Sequence, residues 1–339
     1  MANIRNGVLD AIGNTPLMRL RRVVPPGSAT VLAKLEFTNP TGSMKDRVAR
    51  AMIEAAEKGG RLPPGGTVVE YTAGTTGISL ALICAAKGYR LHVVFSDAFS
   101  PEKQRTMEAF GAEVTIVPSD RKRITEQLIK QMVATAQRIA ERPGHWFCNQ
   151  LSNRDGAQGY HALGDEIWQQ TDGAVSAFVH GIGTAHSLHG TTEALWKHDP
   201  KIMIVGWEPA ESPILSKGIT GAHNIEGTGI GYVPPLWEPK LVNRLVTVST
   251  ADAQAMARRL AREEALFVGT SSGANVVAAL EVARELGPDA TVVTLMVDSG
   301  LRYLSTDLFS GPVNATSRKD SASRPRRGKS GPGPTPSPK

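Results

Sequence analysis

Residues 67–95, TVVEYTAGTTGISLALICAAKGYRLHVVF, hold a strand, a glycine-bearing loop, a helix and a second strand in succession. Thr67-Val68-Val69-Glu70-Tyr71 is a short β-branched run, Thr76 to Lys87 a buried helix stopped by Gly88, and Leu91-His92-Val93-Val94-Phe95 the next strand. Ser100-Pro101-Glu102 then opens a helix that runs to Gly111, with a capping residue, a first-turn proline and a terminal glycine. Val114 to Val117, a long helix over about 123–142, and His145-Trp146-Phe147-Cys148 continue the alternation. The second half repeats it, with strands at Val175–Val179, Ile202–Val205, Leu245–Val248 and Thr291–Met296 and helices near 187–198, 251–265 and 273–286. Short apolar strands alternating with helices predict an α/β fold of parallel sheets covered on both faces. The change from one series to the next near 149 predicts a domain seam, and such sheets bind ligands at the carboxyl ends of their strands.

A chain of 339 residues, 41% hydrophobic and 21% charged, has the composition of a globular protein with room for two domains. No apolar stretch reaches the length of a membrane span, and the start, Met1 to Asn6, has no signal-peptide core. Cys84 and Cys148 are the only cysteines, which excludes a disulfide framework or a cysteine-rich zinc site and fits a reducing cytoplasm. Cys84 lies in the apolar run Ile78 to Ala86, where a buried, inert thiol is expected. The formal net charge of +6 invites a nucleic-acid reading, but residues 313–339 carry Arg318, Lys319, Arg324, Arg326, Arg327, Lys329 and Lys339 against Asp320 alone. That segment accounts for the whole excess, so the body is neutral and no specific nucleic-acid partner is expected. The same segment is rich in Ser, Pro and Gly with little to bury, the composition of a disordered tail.

Three polar, glycine-bearing loops come just after predicted strands, where such a fold places ligands. Thr72-Ala73-Gly74-Thr75-Thr76-Gly77 opens one helix, and its hydroxyls and free N–H groups suit a carboxylate or a phosphate. Gly181-Ile182-Gly183-Thr184-Ala185-His186-Ser187 opens another and has the close-approaching backbone and helix end of a phosphate cradle. Gly269-Thr270-Ser271-Ser272-Gly273-Ala274-Asn275 reads as a third strand-loop-helix junction. Each pattern also builds ordinary turns and caps. None fits a dinucleotide fingerprint, since His186 stands where a third glycine belongs, and no Walker lysine is present. His180, His186 and His189 have no carboxylate or cysteine at ligand spacing, so no metal is expected; a phosphate hydrogen bond suits His186 and a solvated helix face suits His189.

Lys45 stands in Asn39-Pro40-Thr41-Gly42-Ser43-Met44-Lys45-Asp46-Arg47, between a turn and a helix start for which Ser43 and Asp46 have capping-box spacing. The helix runs to Gly59-Gly60 with Val48, Ala51, Met52, Ala55 and Ala56 on one face. Positive charge at a helix start opposes an ammonium and lowers its pKa, which favours a nucleophilic amine. A solvated surface lysine is the competing reading.

Together these segments resemble the cysteine synthase (O-acetylserine sulfhydrylase) family of fold-type II pyridoxal-phosphate enzymes. The similarity runs from Ile12-Gly13-Asn14-Thr15-Pro16-Leu17 to Asp298-Ser299-Gly300-Leu301-Arg302-Tyr303-Leu304-Ser305-Thr306, through the Lys45 segment, Gly206 to Ser212, His223 to Gly229 and the third loop. The resemblance implies two domains of the tryptophan synthase β-like type, each a mostly parallel twisted sheet flanked by helices, with the active site in the cleft between them. Residues 36–148 would form the smaller domain, 1–35 and 149–312 the larger, and 313–339 a basic tail.

It further implies that Lys45 holds pyridoxal 5'-phosphate as a Schiff base and acts as the base. Thr184, Ser187 and the backbone of Gly183, Ala185 and His186 would hold the phosphate, Ser271 the pyridine nitrogen, and Thr75 would meet the phenolic oxygen. Thr72, Ala73, Gly74, Thr76 and Gln150 would take the substrate carboxylate. The implied reaction is β-replacement on O-acetylserine or O-phosphoserine through an aminoacrylate, a thiol-type nucleophile then giving cysteine or an analogue. A homodimer, and a serine acetyltransferase tail as partner, are implied as well. The chain departs from the family at Ala73 and Thr75, where Ser and Asn are usual, and at His186, where Gly is common. These departures keep open another nucleophile (thiosulfate, homocysteine or an amine), elimination alone, or a non-catalytic regulatory paralogue.

Overall fold

The structure, a computed structural model, describes residues 4–121 and 125–309. Two strands, β1 (Leu17–Arg19) and β2 (Thr30–Lys34), precede α1 (Lys45–Lys58). The next series is β3 (Thr67–Tyr71), α2 (Thr75–Lys87), β4 (Arg90–Ser96), α3 (Pro101–Ala109), β5 (Glu113–Val117), α4 (Glu126–Ala140) and β6 (His145–Phe147). Then come α5 (Asp155–Gln158), α6 (His161–Gln170), β7 (Ala177–Gly181), α7 (His186–His198), β8 (Met203–Pro209) and α8 (Ile214–Lys217). The described chain closes with β9 (Arg244–Val248), α9 (Thr250–Glu263), α10 (Thr270–Leu286) and β10 (Thr291–Leu295). The basic segment 313–339 lies outside the described residues.

β3 to β6 form a four-stranded sheet in the order β5-β4-β3-β6, and the other strands a six-stranded sheet in the order β1-β2-β10-β7-β8-β9. Every pairing is parallel except β1 with β2. Helices cover both faces, which is why β3 and β7 read as unbroken buried runs. Val68, Val93 and Phe95 face α1 and α2, while Val69, Tyr71 and Val94 face α4. α4 buries Leu128, Met132, Ala136 and Ile139 at three- and four-residue spacing, and the Thr125 hydroxyl caps its start by accepting from Leu128 N at 3.2 Å.

The strands lost to the sequence reading are β1 and β2, which are short and only partly apolar. Two boundaries also move. The strand expected at Val175–Val179 is β7, Ala177–Gly181; its ladder runs on to pair His180 with Gly206 and Gly181 with Trp207. Gly269 to Asn275 does not follow a strand: Val268 makes a single bridge to Ser299, and Thr270 already begins α10. The capping box at Ser43 is replaced by another arrangement. Asp46 turns back to accept from Thr41 N at 2.8 Å and Thr41 Oγ1 at 2.5 Å, and Ser43 Oγ accepts from Lys45 N at 3.2 Å.

A buried ion network fixes α1 against the rest. Arg47 donates to Glu36 Oε2 and to Glu166 Oε1, both at 2.8 Å, and Lys34 Nζ reaches Glu166 Oε2 at 2.7 Å. These four residues belong to β2, the turn after it, α1 and α6, so the network sets where residue 45 emerges.

Candidate active site

Lys45 begins α1, and its segment is stapled to the carboxyl end of β10. Ser43 bridges Asp298, Met44 N donates to Val297 O at 2.9 Å, and Arg302 donates to Thr41 O at close range. The Lys45 amine makes no hydrogen bond to a described residue. Its pKa is lowered to about 8 because burial withdraws water, with the nearby Asp298 carboxylate pulling the other way.

The first loop closes on itself, with Gly74 N donating to Thr72 Oγ1 at 2.9 Å. Gly74 sits at φ 121° directly on the Lys103 stem, where an added Cβ would come within 2.5 Å of its Cδ, so only glycine fits. Thr76 Oγ1 donates to Gln150 Oε1 at 2.7 Å, and Gln150 Nε2 donates to Tyr71 O at 3.1 Å. Gln150 is itself held from below: its N–H and that of Tyr71 both donate to the buried Glu70 carboxyl at 2.9 Å. Burial pushes the Glu70 pKa up to about 8 against those hydrogen bonds. Ala73 is exposed, and the half-buried Thr75 hydroxyl has no partner among the described residues.

The second loop carries the carboxyl end of β7 into α7. A Cβ on Gly183 would lie 2.2 Å from Gly227 O, so the backbone can run there only without a side chain. Ala185, with φ 71°, turns the chain into the helix. The expected hydrogen bond from the His186 ring to a phosphate is not the arrangement found: Nε2 meets Asn153 O at 2.7 Å and Nδ1 meets Thr184 Oγ1 at 2.9 Å. Only its backbone N–H is left for an anion. His180 Nε2 lies 2.8 Å from Ser187 Oγ. His189, half-buried and not fully solvated, pairs with Glu193 at 3.3 Å.

In the third segment Ser272 Oγ accepts from Val297 N at 2.8 Å, whereas the buried Ser271 hydroxyl has no protein partner among the described residues. The segment meets the Lys45 region at Asp298, whose backbone oxygen accepts from Gly269 N at 3.2 Å. Asp298 also takes the Tyr303 phenol at 2.8 Å, and Tyr303 lies under the Lys103 ammonium, 5.4 Å from ring centroid to nitrogen. Lys103 completes the circuit by pairing with Glu226. The sequence analysis gave roles to none of Glu70, Lys103, Glu226 and Asp298. Asp298 was findable, since it ends the apolar run that continues β10 beyond its carboxyl end.

The arrangement fits a phosphorylated aldehyde cofactor. An amine without a partner and with a lowered pKa is on hand for a carbonyl, the Ser271 hydroxyl is free for a ring nitrogen, and the Gly183 to Ser187 turn can surround an anion. No group of three His, Cys, Asp or Glu side chains among the described residues could hold a metal ion. Both thiols are free and buried, and burial pushes Cys84 up to about 12.

Comparison with known proteins gives one answer at each level. The family described as "Pyridoxal-phosphate dependent enzyme" matches residues 8–298. A cysteine synthase of Staphylococcus aureus (strain Mu50 / ATCC 700699) is 40% identical over 308 residues, covering 90% of this chain and 97% of that protein. A cysteine synthase structure from Entamoeba histolytica superposes with a TM-score of 0.85 at 35% identity, covering 91% of this chain and 92% of the other. A structure of O-ureido-L-serine synthase superposes with a TM-score of 0.86 at 34% identity, covering 93% and 98%.

Proposed function

Because the chain belongs to the pyridoxal-phosphate dependent enzyme family, we propose that it performs β-replacement on an activated serine, O-acetylserine or O-phosphoserine, giving cysteine or a cysteine analogue. The observation that carries this reading is the partnerless, partly neutral Lys45 amine, close to Asp298 and within electrostatic reach of His180 and His186 beside the second loop. Lys45 would carry the cofactor through Nζ. Thr184, Ser187 and the backbone N–H groups of Gly183, Ala185 and His186 would hold its phosphate, Ser271 its ring nitrogen, and Thr75 would face its phenolic oxygen.

Bound there, pyridoxal 5'-phosphate supplies the electron sink that makes the substrate Cα–H acidic. Thr72, Gly74 and Thr76, with the Gln150 amide, orient the substrate carboxylate, and Ala73 lines the same loop. Glu70 keeps Gln150 in place from beneath. The Lys45 amine would take the Cα proton and later return it. A neutral Ser271 hydroxyl does not hold a proton on the ring nitrogen as a carboxylate would, which favours loss of a β-leaving group over transamination.

The cleft between the two sheets, with 36–148 against 1–35 and 149–312, is the reading of the domains. A homodimer and the tail of a serine acetyltransferase as partner belong to the same reading, and two buried free thiols suit a reducing cytoplasm.

The test is direct. Protein loaded with pyridoxal 5'-phosphate, reduced with borohydride and digested should carry a pyridoxyl group on the Lys45 peptide, and should turn O-acetylserine and sulfide into cysteine. An unmodified Lys45 peptide would sink the reading. A different nucleophile is the second reading, supported by the short side chains of Ala73 and Thr75 and by the likeness to an O-ureido-L-serine synthase. A nucleophile panel that gives product only without sulfide would select it.

A further inference from the structure

The two hydroxyls of the Gly183 to Ser187 turn are each wired to a buried imidazole, and the wiring fixes where their protons point. Asn275 Oδ1 accepts from Trp207 Nε1 at 2.7 Å and from Gly181 N at 3.1 Å, so its orientation is set. Its Nδ2 then donates to Leu295 O at 2.7 Å and to His180 Nδ1 at 3.3 Å. His180 therefore carries its proton on Nε2 and donates it to Ser187 Oγ at 2.8 Å. The Ser187 hydroxyl, already accepting, keeps its own proton for an anion.

His186 is wired the other way. The Asn153 carbonyl, 2.7 Å from Nε2, can only accept, so that nitrogen carries the proton. In the neutral ring Nδ1 is then an acceptor, and the Thr184 hydroxyl 2.9 Å away must spend its proton on it. Thr184 thus presents only lone pairs to the cradle, the wrong polarity for a phosphate.

We infer that His180 and His186 are positioning residues of the phosphate site: His180 holds Ser187 as a permanent donor, and Thr184 becomes a donor only when His186 takes up a proton, so that binding of a phosphoryl dianion is coupled to protonation of His186. This rests on the proposed cofactor site. The titratable groups facing His186 are Lys45 from the start of α1 and His189 along α7, while the segment before α5 offers only the Asn153 carbonyl. Burial, with Lys45 and His189 acting in the same sense, lowers the empty-site pKa to about 4 even against the Asn153 bond. A dianion in the cradle acts in the opposite sense and raises it. The loaded pKa exceeds the empty one, so affinity climbs as pH falls through the loaded value and levels off near the empty value.

The experiment measures binding of sulfate, which stays a dianion across the range, and of pyridoxal 5'-phosphate and pyridoxal to the full-length chain freed of cofactor. Tryptophan fluorescence or calorimetry reads affinity from pH 5 to 9, and NMR follows the His186 ring. Wild type should tighten on sulfate by up to about tenfold per pH unit more than His186→Gln as the pH falls. Gln keeps the bond to Asn153 O and cannot titrate, so the variant should bind at least as well as wild type at pH 9. His180→Phe should weaken sulfate by about tenfold at every pH, and His180→Gln, whose amide can still donate to Ser187, should restore it. Equal pH slopes in wild type and His186→Gln, or a His186 ring signal unmoved by sulfate, would overturn the proton coupling. Equal affinity in His180→Phe and wild type would overturn the role of His180. Pyridoxal binding as tightly as its phosphate would overturn the cradle assignment itself.

Discussion

An ammonium that has lost its water is half neutral near pH 8, well below an exposed lysine. Limited acylation at pH 8.5, read by peptide mass spectrometry, should therefore modify Lys45 of the cofactor-free chain ahead of exposed lysines such as Lys58. Its rate should rise through pH 8 and then level off. Asp298→Asn removes the carboxylate that favours the charged form, so the plateau should arrive at lower pH; a plateau moved upward would contradict the electrostatics. Glu166 gives the acid side of the same argument. Desolvation opposes its ionisation, but the Arg47 and Lys34 contacts overcome this and hold it down to about 2. A folded pKa below the unfolded one contributes stability that is complete above about pH 4.5 and is lost as pH falls toward 2. Glu166→Gln should be on the order of 3 kcal/mol less stable at neutral pH. In denaturant titrations it should also show a flatter loss across that acid window.

At the scale of elements, α1 is placed by its charges as much as by Met52 and Ile53. Arg47→Ala leaves Glu36 and Glu166 buried without their shared guanidinium and should cost ~3–5 kcal/mol of unfolding free energy. Arg47→Lys recovers only part of it, since an ammonium cannot fork to two carboxylates. Elements announce themselves in sequence when one face or both are filled by one kind of residue. β3 and β10, buried on both sides, and α4, with its four-residue stripe, are legible for that reason. β1 and β2 are not, because strand β1 is three residues long and partly solvated. Loops are legible as glycine and hydroxyl patterns, but not their wiring. Nothing within Gly181 to Ser187 says that Asn275, some ninety residues on, sets the His180 tautomer, or that Asn153 claims His186. Capping spacing misled at Ser43 because Thr41, inside the preceding turn, competes better for Asp46.

Across the whole molecule, the buried Arg47–Glu166 pair and the Ser43 and Met44 contacts to the end of β10 are joined by two further ties from the small sheet. The Tyr71 phenol at the end of β3 interacts with the Tyr232 phenol, which lies between β8 and β9, and Lys103 reaches across to Glu226. Tyr232→Phe should cost about 1 kcal/mol. It should also speed amide exchange in residues 223–233, measured by hydrogen–deuterium mass spectrometry, while the β7 and β10 amides stay as protected as before. Uniform acceleration over the whole chain would mean that the contact supports general stability and not the tie between sheets.

The order of strands has one more consequence. β10, nearly the last described element, sits between β2 and β7 in the six-stranded sheet, whereas β3 to β6 come from one unbroken stretch. During synthesis the smaller sheet can therefore assemble on the ribosome as soon as its own residues emerge. The larger one stays split into an early half and a late half until residue 295 leaves the exit tunnel. Lys45 waits, with its neighbours unmet, for the final strand to arrive.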